Sequence, residues 1–320
     1  MTRSMLSTAA VSLACACGPA LAQLGPLNPP AGPVADTPEL EPRTVLSAVN
    51  TPGDADSVFK ITQPGSYVLT ADVVVPAGQV GVDIAANEVS IDLNGFTIRG
   101  DGTAEAGISP AIGDTPGIVS FYGLRVSNGR ISGCRTGLER QREVEIGNNE
   151  EDLQIFETSI TQVVATDLEV DGASIGIRIL RGRVERCGVR ASSSGINVRE
   201  SRVVDCRVEL SGQTFRFFGI LSTDSLVSGC AVNADAGQQG GVIGISALRG
   251  QVENCWVQAP LQFSTGIEIS NCAVQGCSVT SGAVGFRADG AAGMITGSFY
   301  GGTGMAGAGL GSVIQFNNSF

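Results

Sequence analysis

The chain has 320 residues, a net charge of −11, 44 glycines, no histidine and a single lysine, Lys60. The missing histidine excludes Ser–His, Cys–His and His–metal chemistry. The acidic balance excludes the clustered basic surface that nucleic acid or anionic lipid requires, and few aromatics with many glycines point to a turn-rich β protein.

The first expected element is an export signal over residues 1–22. Arg3 supplies the positive end, residues 5–17 are apolar and small, and Ala20-Leu21-Ala22 forms an A-x-A cleavage site before Gln23. A buried N-terminal helix is opposed by Pro19, and a lipid anchor at Cys15 by Ser12 three places upstream. The expected location is therefore outside the cytoplasm: extracellular, cell-surface or periplasmic. No later run approaches the roughly 20 apolar residues that a membrane span needs, so no transmembrane segment is expected.

Residues 23–57 hold most of the prolines and read as a linker or strap. Residues 58–100 read as an N-terminal cap with a first coil, 101–290 as repeats, and 291–320 as a Gly-rich C-terminal cap. The repeat is specific. Gly-Ile pairs recur at Gly176, Gly195, Gly219, Gly244 and Gly266; each isoleucine is followed after seven residues by a valine, then a cysteine three on and another valine two beyond that. The cysteines are Cys187, Cys206, Cys230, Cys255 and Cys277, and Gly285-Phe286 opens a last, degraded unit.

Side chains on a straight strand alternate with period two, so a valine and a cysteine three apart share a face only across a bend. The residue before the cysteine, or its equivalent, is Gly95, Asn128, Asp167, Arg186, Asp205, Gly229, Asn254 or Gly276. All but Arg186 tolerate the left-handed conformation well. The pattern predicts an all-β, right-handed parallel β-helix solenoid of about nine coils, each roughly 4.8 Å above the last. A leucine-rich repeat, the competing solenoid, needs denser leucine.

The run resembles the pectate-lyase-type right-handed β-helix superfamily. Residues 45–100 resemble a group of secreted β-helix proteins common in planctomycete-like bacteria, through Thr51-Pro52-Gly53-Asp54-Ala55-Asp56-Ser57, Ile61-Thr62-Gln63-Pro64-Gly65-Ser66-Tyr67 and Ile91-Asp92-Leu93-Asn94-Gly95-Phe96. The resemblance implies the fold and no particular activity.

Stacked cysteines have parallel Cβ vectors about 4.8 Å apart, beyond the ~3.8 Å that a disulfide prefers. They are expected as small buried residues, with disulfides as the alternative, and their spacing is not that of a zinc site. Stacking also predicts Arg186 over Asp205 and Arg190 over Glu209, with Arg183 over Arg202 as like charges.

Catalysis in this fold needs a base with a carboxylate neutraliser, or two carboxyls across one groove. The outward positions of the first strand read Asp83, Arg178, Asn197, Leu221, Ser246, Glu268 and Arg287, which place acids and bases several coils apart. The expected function is a non-catalytic scaffold for a polysaccharide or cell-surface polymer, needing no cofactor or metal. The alternatives are a polysaccharide lyase or glycosidase, and an adhesion element with protein partners. Candidate ligand contacts are Trp256, Phe215, Phe217 and Phe263, with Arg178 and Arg287 in the groove; burial of the rings against the coil is the competing outcome. The acidic loop at residues 148–152 is a calcium candidate or a plain solvated loop.

Overall fold

The computed structural model describes residues 42–112, 117–146, 154–211, 216–234, 241–260, 264–289, 293–302, 306–308 and 313–314. The expected export signal, the start of the Pro-rich segment and the acidic loop at 148–152 lie outside the described residues. Among those described, no helix is long and apolar enough to cross a membrane.

The fold is a parallel β-helix. Each regular coil contributes three short strands, and each strand pairs in parallel with its counterparts in the coils before and after. The second strands show why the sequence stacks this way. Arg183–Glu185, Arg202–Val204, Leu226–Ser228, Gln251–Glu253 and Ala273–Gln275 align so that Val184, Val203, Val227, Val252 and Val274 fall in one column. All five are buried, as are Val189, Val208, Val232, Val257 and Val279 on the third strand. β-Branched side chains pack well on a pleated face, and burying each one removes apolar area from water.

Two corners per coil hold the strands at an angle. All eight positions expected to be left-handed have positive φ, from 49° at Arg186 to 79° at Gly95. A second left-handed column precedes the second strand: Glu88, Gly123, Gln162, Arg181, Glu200, Asp224, Arg249 and Asn271. Its residue types give a weaker signal: Gly123, Asp224 and Asn271 are marked, but Glu88, Gln162, Arg181, Glu200 and Arg249 are not, since such side chains adopt this conformation only where the surroundings impose it. What imposes it is the backbone ladder, which continues through the corner. Arg181 N donates to Arg199 O at 3.0 Å, and Asp224 N to Leu248 O at 2.8 Å.

The small residue after each corner closes it. Sγ of Cys187, Cys206, Cys230, Cys255 and Cys277 donates to the carbonyl two residues back at 3.2–3.5 Å. Ser298 does the same at 3.1 Å one coil later. At the other corner Ser201 and Ser225 do so at 2.6 Å, and Cys272 at 3.2 Å. The cysteines are free and buried, and they also donate as serines do.

The glycine before the inward isoleucine of the first strand is required by close approach. A Cβ on Gly219 would overlap Val232 of the third strand and the Gly244 carbonyl, and Gly195 and Gly244 are confined in the same way.

Three boundaries differ from expectation. Thr44–Val45 pairs with Gly65–Val68 and Leu46 is buried, so the first rung begins inside the segment expected to be a strap. Met294–Thr296 and Phe299–Gly302 continue the second and third sheets, so regular coil runs past residue 290. A separate sheet of Gly117–Tyr122, Gln141–Ile146 and Gln154–Thr161 includes an antiparallel pair that no repeat predicts.

Candidate functional site

On the first sheet, Arg178, Asn197, Leu221, Ser246, Glu268 and Arg287 are register partners on successive coils, as expected. The separation of acids from bases is not as expected. Glu268 and Arg287 sit on adjacent coils. Below Arg178 the column continues through Glu139, Ser109 and Asp83 to Lys60. Gly107-Ile108 and Gly137-Leu138 are two further glycine–apolar pairs, each followed by the outward residue, Ser109 or Glu139. That was the available signal. The long insertions on either side of these pairs break the seven-residue spacing to a valine and hide them.

Arg178 therefore converges with an acid. Its Nη1 lies 3.4 Å from Glu139 Oε2. Glu139 Oε1 also accepts from the backbone N–H groups of Arg140 at 3.0 Å and Gln141 at 3.3 Å. The Glu139 side chain is only 11% exposed. Burial pushes its carboxyl above the usual range, and Arg178 and the two amides only partly oppose this. Beside it, Arg135 Nη2 lies 3.3 Å from Glu105 Oε1. These two pairs, with Ser109, Thr136 and Gln141, line a recess of about 370 Å³. The strand Gln141–Ile146 of the lateral sheet leaves directly from its rim. Chemically, the recess offers two carboxylates and two guanidiniums, each acid matched to a base.

The outward face of the third sheet carries two adjacent columns. One runs Arg130, Glu169, Gly188, Arg207, Ala231, Trp256, Ser278, Phe299. The other runs Asp171, Arg190, Glu209, Asn233, Gln258, Thr280. The first half is charged and internally neutralised. Arg190 reaches Glu209 at 2.9 Å and Asp171 at 3.3 Å, and Arg207 reaches Glu209 at 2.7 Å. Hydrogen bonding to Arg190 holds the Glu209 carboxyl below its usual range. Arg186 pairs with Asp167 below it, at 2.7 Å, rather than with Asp205 as expected. Arg183 stands over Arg202 but is paired with Glu185 in its own strand. The second half, from Ala231 and Asn233 onward, has no charged residue in either column.

Trp256 is 43% exposed on this second half, and Phe299, two coils on, is 57% exposed. Phe217 was expected among the ligand contacts but is fully buried. It points into the core, so it meets no ligand. Phe215 and Phe263 lie outside the described residues. Arg287 is half-buried on the first sheet, far along the column from the Glu139 recess. Among the described residues no group of three potential ligands could hold a metal.

No family model matches the chain, and no curated protein matches it. Among solved structures it is similar to the enzymatically active domain of tailspike protein 2 of bacteriophage CBA120, at 11% identity and a TM-score of 0.40 over 79% of this chain and 47% of that one. The chain thus spans about half the length of that protein. It is also similar to an Arthrobacter chlorophenolicus DFA-IIIase without its lid, at 13% identity, TM-score 0.38, 78% of this chain and 81% of that one. A Paenibacillus alginate lyase aligns at 10% identity, TM-score 0.37, 77% of this chain and 96% of that one. Likeness at this level carries no activity across.

Proposed function

We propose that this is an exported, non-catalytic β-helix that holds a glycan or similar extracellular polymer against its surface. The observation that supports it most is Trp256, an open indole on a flat sheet with Gln258 two residues away on the same face. An exposed aromatic face offers stacking area at low entropic cost. Export rests on the signal pattern of residues 1–22. The test is incubation of the purified protein with plant, algal and bacterial polysaccharides, scoring both retention and release of new chain ends. Retention without new ends supports the scaffold reading; new ends sink its non-catalytic part.

A second reading has its own observation. Glu139, buried with a raised carboxyl, and Glu105 line one recess, and a raised acid beside a second carboxylate is what glycoside hydrolysis uses. New reducing ends that vanish in Glu139→Gln would favour it over the scaffold.

A further inference from the structure

We infer that the uncharged half of the third sheet binds an uncharged, extended glycan whose chain runs along the coil axis, stacked on Trp256 and Phe299 and hydrogen-bonded by Gln258, Asn233 and Thr280; this rests on the glycan-binding reading above. Three observations carry it. The first is spacing. Trp256, Ser278 and Phe299 are register partners in one outward column. The two rings are therefore two coils apart, roughly 9.6 Å at the interstrand spacing, about the length of a disaccharide in an extended chain. The small Ser278 between them leaves the intervening sugar room.

The second observation is the neighbouring column. Asn233, Gln258 and Thr280 stand in register beside the rings, and Asn233 and Gln258 line a shallow groove of about 440 Å³ whose other end is formed by Arg190 and Glu209, paired with each other. Amides and hydroxyls both donate and accept, matching sugar hydroxyls without a charge to desolvate. The third is charge. From Asn233 onward neither column holds an acid or a base, and the arginines of the preceding coils are already bound to Asp171 and Glu209. Among the described residues an anionic polymer would find no free cation in these columns, on a protein whose net charge is −11. The rings are separated by a serine rather than joined in one apolar patch, which suits a ribbon-like ligand better than a protein partner.

The deciding experiment is calorimetric titration of the intact protein with cellohexaose, cellobiose and an oligogalacturonate six residues long. Cellohexaose should bind. Trp256→Ala and Phe299→Ala should each weaken it about tenfold, the equivalent of about 1.4 kcal/mol, with unchanged melting because both rings are exposed. Phe299→Ala should leave cellobiose affinity unchanged, since a disaccharide stacked on Trp256 does not reach the second ring. Binding of the oligogalacturonate in place of cellohexaose would overturn the inference and leave glycan binding intact. Cellohexaose affinity unchanged in both variants would overturn the location. Failure of every glycan in the wider panel would overturn both readings, and a dimer that dissociates in Trp256→Ala would reassign the stripe to self-association.

Discussion

The recess on the first sheet and the stripe on the third are built by the same operation, the stacking of like positions on successive coils, and they come out chemically opposite. In the recess, stacking brings Glu139 to Arg178 and Glu105 to Arg135, so each charge is answered by its neighbour. In the stripe it brings rings, amides and hydroxyls into columns that leave one another unsatisfied. Charge on this β-helix is consumed locally, by a side chain about 4.8 Å away on the next coil or by one two residues along the same strand, as at Arg183 and Arg207. Aromatic faces and amides are not, and on the proposed reading they remain for a ligand.

The most severe way to break this contrast is to remove what both sites stand on. Gly219 lies in the first strand and packs against Val232 beneath the third. Gly219→Val should cost about 3 kcal/mol or more, as overpacking of a core does, and should degrade both sites together. A melt like that of the natural protein would refute the close-approach argument.

Next in size is a change confined to the recess. Arg178→Gln removes the cation facing Glu139, so that carboxyl should titrate still higher by NMR. A raised carboxyl contributes stability that is fully present below the unfolded value, about 4.3, and is lost as pH rises through the folded one. The variant should therefore be less stable than the natural protein at pH 7, by about 1–2 kcal/mol given the partial exposure of the pair, and converge with it on acidification. Glycan retention on the third sheet should not change. A loss that grows toward low pH would contradict the assignment.

Cys230→Ser should act on neither site and cost under about 1 kcal/mol, since serine fills the equivalent position at Ser298 and closes the corner with the same bond. Cys230→Val, which cannot donate to Ser228 O, should melt lower than the serine variant; the reverse order would show that apolarity alone matters there. The smallest effect is expected at the outer corner. Arg249 makes a bidentate pair with Asp224 at 2.7 and 2.8 Å, which holds the Asp224 carboxyl below its usual range. Both groups are solvated, so Arg249→Ala should leave the melting temperature unresolved from that of the natural protein while returning Asp224 toward its ordinary titration.

What could be read in advance was unequal across the molecule. The coils from Gly176 onward were legible because a buried column demands the same small or β-branched residue at every turn. The left-handed corners before the cysteines were legible because glycine, asparagine and aspartate mark them. The second corner was less so, since Arg181, Glu200 and Arg249 carry no such mark. Trp256 was legible as an outward ring, because its parity follows from Cys255 beside it. Phe217 was misplaced, because a loop of unknown path gives no parity to the residues that follow it.

The sequence alone determined the parallel β-helix, its register from Gly176 to Arg287, the inward cysteine column and the absence of histidine chemistry. The first three follow from a spacing that sterics and backbone pairing permit in one way, the last from composition alone. The tertiary structure alone decided which partner each arginine takes, that Glu139 stands beside Arg178 across the inserted strands Gln141–Ile146 and Gln154–Thr161, and that Phe299 lies two coils above Trp256. Those pairings depend on where the chain returns after irregular loops, and no local periodicity records that return.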